Sequence, residues 1–237
     1  RSAQSLRLVN PVTQPEIQIL WQDKSILVVN KPAGLLTIQD GYDPALPYLS
    51  RILREKFGRV WTVHRLDKDT SGVILFARSA EAHHNLNDQF ANRQIAKTYH
   101  ALVCGLPQWD EIVANLPLRV NGDRRHRTVI DPRRGKPAST SLSVLERFAT
   151  TSLIEAQPHT GYTHQVRAHL AYLGFPLLGD ALYGGKITAQ CSDDIHRSAL
   201  HAFRLTFVHP HSHEIQSIEA PYPPDFLAAL YALREGE

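Results

Sequence analysis

The segment 64–72 (HRLDKDTSG) concentrates reactive side chains: an imidazole, a guanidinium, a carboxylate and two hydroxyls lie within nine positions. It precedes the apolar run VILFA at 73–77, so we predict a polar loop that leads into a core strand. Loops seated on rigid strands commonly hold catalytic groups. The same residue types also cap turns, because Asp67, Thr70 and Ser71 can accept hydrogen bonds from backbone N–H groups. Spacing alone leaves both interpretations open.

Metal and nucleotide-loop chemistries find less support in the sequence. Among 13 histidines, the pair His164/His169 and the run His209/His211/His213 invite a metal interpretation. Neither combines metal-type spacing with convergent cysteine or carboxylate ligands. Neither GxGxxG nor GxxxxGK[ST] occurs, so no phosphate-binding loop of these types is present. We therefore expect no metal and no organic cofactor.

Basic charge is concentrated in residues 119–136. The whole chain carries a formal charge of only +3, which is weak support for a nucleic-acid partner. Seven basic and two acidic residues give this segment 7 − 2 = +5, so the rest of the chain sums to −2. The basic residues are Arg119, Arg124, Arg125, Arg127, Arg133, Arg134 and Lys136. Such a segment suits contact with nucleic-acid phosphates. The alternative is a solvated loop without a ligand.

Length and composition indicate one α+β domain. A chain of 237 residues with 43% hydrophobic residues can bury a substantial core. Cys104 and Cys191 are too few for a disulfide framework, which favours a reducing, cytoplasmic compartment. No stretch is long or apolar enough to span a membrane, and the N-terminus lacks a signal-peptide core. No interface pattern stands out, so we expect a monomer.

Periodicity predicts strands with irregularly interspersed helices. Strands are predicted at 26–30, 73–77, 98–104, 141–148 and 152–157, with further strand-like alternation at 200–220. Helices are predicted from Pro47, after the N-cap Ser79, at 164–173 ending at Gly174, and at 226–233. The strict βαβ rhythm of a doubly wound sheet is missing. We therefore predict a mixed, mostly antiparallel central sheet flanked by helices.

Several ordered blocks carry a family resemblance. HRLDKDTSG at 64–72 resembles the HRLDxxTSG signature of the RluA family of pseudouridine synthases. The other matching blocks are NKPAGLL at 30–36, KTY at 97–99, THQVRAHL at 163–170, PLLGDALYG at 176–184, LHA at 200–202 and HP at 209–210. They span residues 26 to about 224 in the family order. The resemblance implies the pseudouridine synthase catalytic fold, an RNA substrate and no cofactor.

The resemblance also implies roles for individual residues. Asp67 would be the catalytic carboxylate, and Arg167 would pair with it. Tyr99 would stack on the uracil and assist proton removal from its C5, while Val166 would pack against the base. Arg65 would fill the place that the flipped nucleotide vacates. Further substrate contacts are expected from His64, Thr70, His164, Gln165 and Lys31 in the family blocks, and from Arg124, Arg125 and Arg127 in the basic segment.

The proposed chemistry explains why these residue types are needed. Pseudouridine forms when the C1′–N1 bond breaks, the uracil rotates, and C5 rejoins C1′. An ionised carboxylate at the ribose can either attack C1′ or remove the C2′ proton, and the sequence does not choose between them. Exclusion of water would neutralise an isolated carboxylate, so a cation is required nearby. Arg167 could supply that charge, and could do so bidentately.

Two features depart from many relatives. Tyr162 stands where they have an arginine, which removes one expected phosphate contact but no chemistry. Only about 20 residues precede the first matched strand, too few for the S4-type RNA-binding domain that many relatives carry. We therefore expect the compact form, with an N-terminal arm at 1–16 and a catalytic domain at 17–237. Its substrates would be sites in ribosomal or transfer RNA.

Two other functional classes stay open at this point. A catalytically silent protein that binds or folds RNA could share the fold, although Asp67, Tyr99 and Arg167 are all intact. A hydrolase could use Asp67 on a glycosidic or phosphate bond. Typical glycosidases need a second positioned carboxylate, and Asp69 is a weak candidate for that position. Retention of the uracil in the product would exclude the hydrolase.

Overall fold

The computed structural model describes residues 16–186 and 195–236. Except for Glu16, the N-terminal arm expected at 1–16 lies outside the described residues, as does Cys191. Among the described residues, no helix combines the length and the apolar character needed to cross a membrane.

Twelve strands and four helices make up the described part of the chain. The strands are β1 (Gln18–Gln22), β2 (Ile26–Lys31), β3 (Trp61–Thr62), β4 (Ser71–Ala77), β5 (Ala96–Cys104), β6 (Glu111–Asn115), β7 (Leu118–Arg119), β8 (Val129–Ile130), β9 (Ser139–Arg147), β10 (Thr151–Pro158), β11 (Leu200–Val208) and β12 (Ile215–Glu219). The helices are α1 (Leu49–Phe57), α2 (Ala80–Ala91), α3 (Gln165–Tyr172) and α4 (Pro224–Glu235).

Ten of these strands form one mixed sheet in the order β1-β2-β4-β11-β5-β10-β9-β6, with β3 beside β4 and β12 beside β11. The β4–β11 pair is parallel, and the other pairs in this sheet are antiparallel. Strands β7 and β8 form a separate two-stranded ribbon. The predicted mixed, mostly antiparallel α+β fold is therefore confirmed.

Helices cover both faces of the sheet. Leu53 of α1 and Leu86 of α2 pack with the apolar side chains of strands β2 and β4 in one core. Side chains of β5 alternate between two further cores, as the period of a strand requires. Leu102 packs with α4, whereas Ala101 and Val103 pack with α3. The centre of the sheet is therefore held from both sides, which gives the connecting loops a rigid base.

Two predicted helix starts differ from the structure. The helix predicted from Pro47 begins at Leu49, because Tyr48 is extended and pairs with Leu36 in a β-bridge. The helix predicted from residue 164 begins at Gln165, because His164 adopts a left-handed conformation with φ of 57°. Ser79 does cap α2, since its side chain accepts a hydrogen bond from the Ala82 N–H at 3.1 Å.

The loop predicted to carry the chemistry ends where β4 meets β11. At this junction Gly72 pairs with Ala202 across the parallel ladder. Its φ is +118°, a region that L-residues avoid. A β-carbon at this position would lie 2.1 Å from the Ala202 carbonyl oxygen. Glycine is therefore required by both the backbone conformation and the close approach of the two strands.

Substitution of Gly72 by Ala is expected to lower the free energy of unfolding by about 3 kcal/mol, because the added β-carbon strains φ and collides with β11. Urea denaturation compares the variant with the wild type. Gly41→Ala is the matched control, since nothing lies within 4 Å of its ideal β-carbon position. Equal stability of the two variants would mean that the β4–β11 junction accepts a side chain.

Candidate active site

A cleft of about 510 Å³ opens beside the 64–72 segment. Its walls come from residues 63–67 and Thr70, the end of α2, strand β5, residues 158–163 and the start of α3. The cleft thus brings together segments that are distant in the chain, and Asp67 and Arg167, for example, are 100 positions apart.

Asp67 presents its carboxylate to two potential cations. Its Oδ2 lies 3.5 Å from the Arg167 Nη1 and 3.6 Å from the His164 Nε2. The side chain remains 24% exposed, which leaves it accessible from the cleft. Burial is the main cause that lowers the pKa of His164, so this imidazole is neutral at neutral pH. Arg167 is therefore the group that supplies positive charge to Asp67.

Arg167 is fixed by a second carboxylate. Its Nε donates to Asp180 Oδ2 at 2.6 Å, and its Nη2 donates to Asp180 Oδ1 at 2.8 Å. The bidentate geometry that the sequence offered for Asp67 is thus wrong, because Asp180 occupies both parallel donors. Burial alone would lower the pKa of Arg167, but Asp180 and then Asp67 raise it. The guanidinium stays charged whether or not Asp67 does.

The loop that carries Asp67 is held by contacts to its backbone. Thr37 Oγ1 donates to the Leu66 carbonyl at 2.9 Å. The Lys31 ammonium donates to the Lys68 carbonyl at 3.0 Å, and the Arg197 guanidinium donates to the Asp69 carbonyl at 2.9 Å. Three distant segments therefore fix three successive parts of the loop.

Lys31 does not reach the cleft as a substrate contact. Its side chain is fully buried, and its ammonium also donates to the carbonyls of Pro32 and Leu35. Burial lowers its pKa to about 7. All three donors of an ammonium are thus used inside the protein, which favours a supporting role.

Gln165 is similarly committed to the fold. Its Oε1 accepts from the Thr160 hydroxyl and the Tyr162 N–H, and its Nε2 donates to Ser139 and Thr140. Every hydrogen-bonding position of the amide is occupied. Gln165 therefore shapes the 160–163 turn, and no donor or acceptor remains for RNA.

The other predicted cleft residues do line it, namely His64, Arg65, Thr70, Tyr99, His164 and Val166. Arg65 is exposed, whereas Thr70 and Val166 are buried. His64 accepts a hydrogen bond from the Leu75 N–H at 3.0 Å and stacks on Phe90. Burial lowers the pKa of His64 to about 3, which agrees with this acceptor role. A neutral His64 supports the wall of the cleft without adding charge.

The basic segment lies apart from the cleft lining. Arg127 pairs with Asp123 at 2.7 Å and also approaches the Leu182 carbonyl, so its charge is partly satisfied inside the protein. Arg119 pairs with Asp131 at 2.9 Å. The remaining basic side chains are exposed, namely Arg124, Arg125, Arg133, Arg134 and Lys136. Five of the seven cations therefore face solvent as a basic surface.

Tyr183 connects this segment to the site. Its hydroxyl accepts from the Thr128 N–H at 2.9 Å and contacts His164 Nδ1 at 3.2 Å. The Arg167 guanidinium carbon lies 5.0 Å from the centre of its ring. Thr128 in turn donates to the Thr163 carbonyl. The arrangement ties the basic segment to the start of α3.

Sequence interpretation missed the roles of Asp180 and Tyr183. Both lie in a quoted block, but neither had been given a part in the site. A buried arginine needs a carboxylate partner, and Asp180 in the 176–184 block was the available acid. Tyr183 gave no such signal, because its contacts depend on how the 180–184 turn folds back. Within the described ranges, no group of three or more His, Cys, Asp or Glu residues could hold a metal ion.

Comparison with known proteins identifies the family. Residues 25–172 match the family model described as RNA pseudouridylate synthase. The chain is 41% identical to the dual-specificity RNA pseudouridine synthase RluA of Pasteurella multocida, over 89% of this chain and 95% of that protein. It is 38% identical to the ribosomal large subunit pseudouridine synthase C of the same organism, over 96% and 71%.

The fold agrees with this match. The structure of human RNA pseudouridylate synthase domain containing 4 superposes with a TM-score of 0.75 at 27% identity, over 92% of this chain and 93% of that one. The fold is that of the RNA pseudouridylate synthases. The chain belongs to the RNA pseudouridylate synthase family, and it is an RNA pseudouridine synthase.

Replacement of Asp180 by Asn is expected to lower the free energy of unfolding by about 3 kcal/mol, because Arg167 loses its main counter-charge in a buried position. Chemical denaturation at neutral pH measures the change. The matched control is Asp110→Asn, which removes the carboxylate of an exposed pair with Arg147. The control should change stability by less than about 1 kcal/mol. A loss no larger than the control's would mean that the Arg167–Asp180 pair contributes little.

Proposed function

We propose that this enzyme isomerises uridines in ribosomal or transfer RNA with Asp67 as its catalytic carboxylate. One observation carries the assignment: of the described residues that line the cleft, Asp67 alone has a carboxylate, and it faces a fixed arginine at 3.5 Å. A charged carboxylate in a cleft shielded from water needs such a cation. The position also agrees with the family signature in residues 64–72.

The reaction requires two bond changes at C1′ and two proton movements on uracil. The C1′–N1 bond breaks and the C1′–C5 bond forms, while C5 loses a proton and N1 gains one. Asp67 either attacks C1′ or accepts the C2′ proton, and both routes begin from the ionised carboxylate. Atoms and electrons balance without an external oxidant or reductant. Arg167 supplies positive charge beside Asp67, and neutral His164 adds no competing cation.

Tyr99 is assigned to the uracil. Its ring lines the cleft, and burial followed by the charge of Asp67 raises the pKa of its phenol. The phenol is therefore protonated in the free enzyme, which favours stacking on the base over removal of the C5 proton. Val166 would pack against the base from α3. Arg65, exposed at the cleft rim, would offset part of the unstacking cost when the nucleotide flips.

The RNA contact beyond the target nucleotide is assigned to the basic segment. Its exposed cations Arg124 and Arg125 lie in the connection between β7 and β8. Arg127 would contribute less, because Asp123 neutralises it. The relatives named for the ribosomal large subunit favour ribosomal RNA as the substrate. We expect a monomer that acts in the cytoplasm, where both kinds of RNA are used.

Substitution of Asp67 by Asn is expected to reduce tritium release from C5-labelled uridine by about 1,000-fold or more. The reason is that an amide can neither attack C1′ nor accept the C2′ proton. The substrate is bulk ribosomal and transfer RNA labelled at C5 of uridine. RNA binding and stability should stay close to wild type, because Arg167 keeps its pair with Asp180.

Asp69→Asn is the matched control, since its exposed side chain belongs to the same loop. It should release tritium at nearly the wild-type rate. Release that persists in Asp67→Asn would assign the chemistry to another group. Free uracil in the product would indicate a hydrolase, and RNA binding by the wild type without release would favour the silent RNA-binding alternative.

A further inference from the structure

Lys97 places an ammonium group in the cleft close to Tyr99. Both side chains line the cleft. They are two positions apart on β5, so they share a face of the strand and their Cα atoms are about 7 Å apart. This spacing is comparable to the length of one nucleotide in an extended RNA strand. The ammonium is therefore near the position that a nucleotide next to the target uridine would occupy.

The Lys97 ammonium has no protein counter-charge among residues 16–186 and 195–236, where no carboxylate forms an ion pair with it. Its Nζ donates to the Thr160 carbonyl at 3.0 Å. An ammonium carries three donors, so donors remain for a ligand. Burial lowers the pKa of Lys97 to about 8, as expected for a desolvated cation that lacks a compensating charge. An anionic ligand would reverse that effect.

The surroundings of the ammonium leave room for a ligand. A β-carbon at Gly161 would lie 3.5 Å from the Lys97 Nζ. Because residue 161 is a glycine, no side chain occupies this space next to the ammonium. Phe90, Ile95 and Pro158 supply apolar lining to the same cleft. The acid in the cleft, Asp67, is already matched by Arg167. Lys97 is thus a cation available for an anion that enters with the substrate.

We propose that Lys97 binds a backbone phosphate adjacent to the target uridine, so that the cleft contains a phosphate subsite beside the reaction centre. A lysine ammonium is a point charge suited to a phosphate oxygen. A nucleotide extruded into a pocket brings its flanking phosphates with it. The inference rests on the proposed function, because Asp67 and Tyr99 define the position of the target. The competing role is purely internal support of the 160–163 turn through Thr160.

The test compares Lys97→Met and Lys97→Arg with the wild type on the same C5-tritiated RNA, at several salt concentrations. Lys97→Met should raise KM about tenfold at low salt, with kcat within about twofold. The slope of log(kcat/KM) against log[salt] should fall in magnitude by about 0.7 to 0.9, the loss expected for one phosphate contact. Lys97→Arg should retain most of both quantities, since the charge is kept. Lys24→Met, which neutralises an exposed lysine outside the cleft, should behave as wild type.

Two results would overturn the inference. Unchanged KM and salt slope in Lys97→Met would exclude a phosphate contact. A fall in kcat with an unchanged slope would assign Lys97 to support of the 160–163 turn. If the wild type releases no tritium, the proposed function fails instead. The salt slope is then measured by filter binding of the same RNA, and a slope equal to that of the wild type would again overturn the phosphate subsite.

Discussion

The cleft depends on the rigidity of a loop that has no regular secondary structure. The role proposed for Asp67 requires that the backbone that carries it be fixed to a fraction of an ångström. The carbonyls of Leu66, Lys68 and Asp69 supply this fixation by accepting hydrogen bonds from Thr37, Lys31 and Arg197. Two of these donors are cations, which make stronger hydrogen bonds than neutral groups do. The loop backbone is thereby fixed while the Asp67 side chain remains accessible from the cleft.

The two-carboxylate arrangement around Arg167 suits the role proposed for Asp67, which needs a cation beside it and an oxygen left for the reaction. Asp180 takes the bidentate contact, so the guanidinium is oriented independently of the substrate. Asp67 receives a single contact from this guanidinium, at 3.5 Å. A carboxylate whose two oxygens both accepted hydrogen bonds from arginine would be less free to attack a carbon or accept a proton. The weaker contact with Arg167 places positive charge beside Asp67 and leaves one carboxylate oxygen available. The strong Arg167–Asp180 pair makes this possible, because it orients the guanidinium without help from Asp67.

Local sequence patterns predicted the strands and helices well. They could not predict side-chain roles that depend on contacts between distant segments. Strand β4 and the capped helix α2 follow from an apolar run and a serine at the N-cap. The contact of Asp67 with Arg167 was expected from the family blocks. The internal roles of Lys31 and Gln165 could not be predicted, because their partners are fixed only when distant segments meet. A family block marks a residue as important, but only the fold separates a substrate contact from a support.

The basic segment and the catalytic site share one support. Tyr183 contacts Thr128 from the segment, and its ring lies beside Arg167. The turn that contains Tyr183 also contains Asp180, so one turn both orients Arg167 and contacts Thr128, the residue that precedes β8. The Arg127 guanidinium forms an ion pair with Asp123, whereas Arg124 is exposed to solvent. RNA phosphates bound by the exposed side of this ribbon, as we propose, would therefore be held in a fixed relation to Asp67, and the enzyme would need no separate element to align the target with the carboxylate.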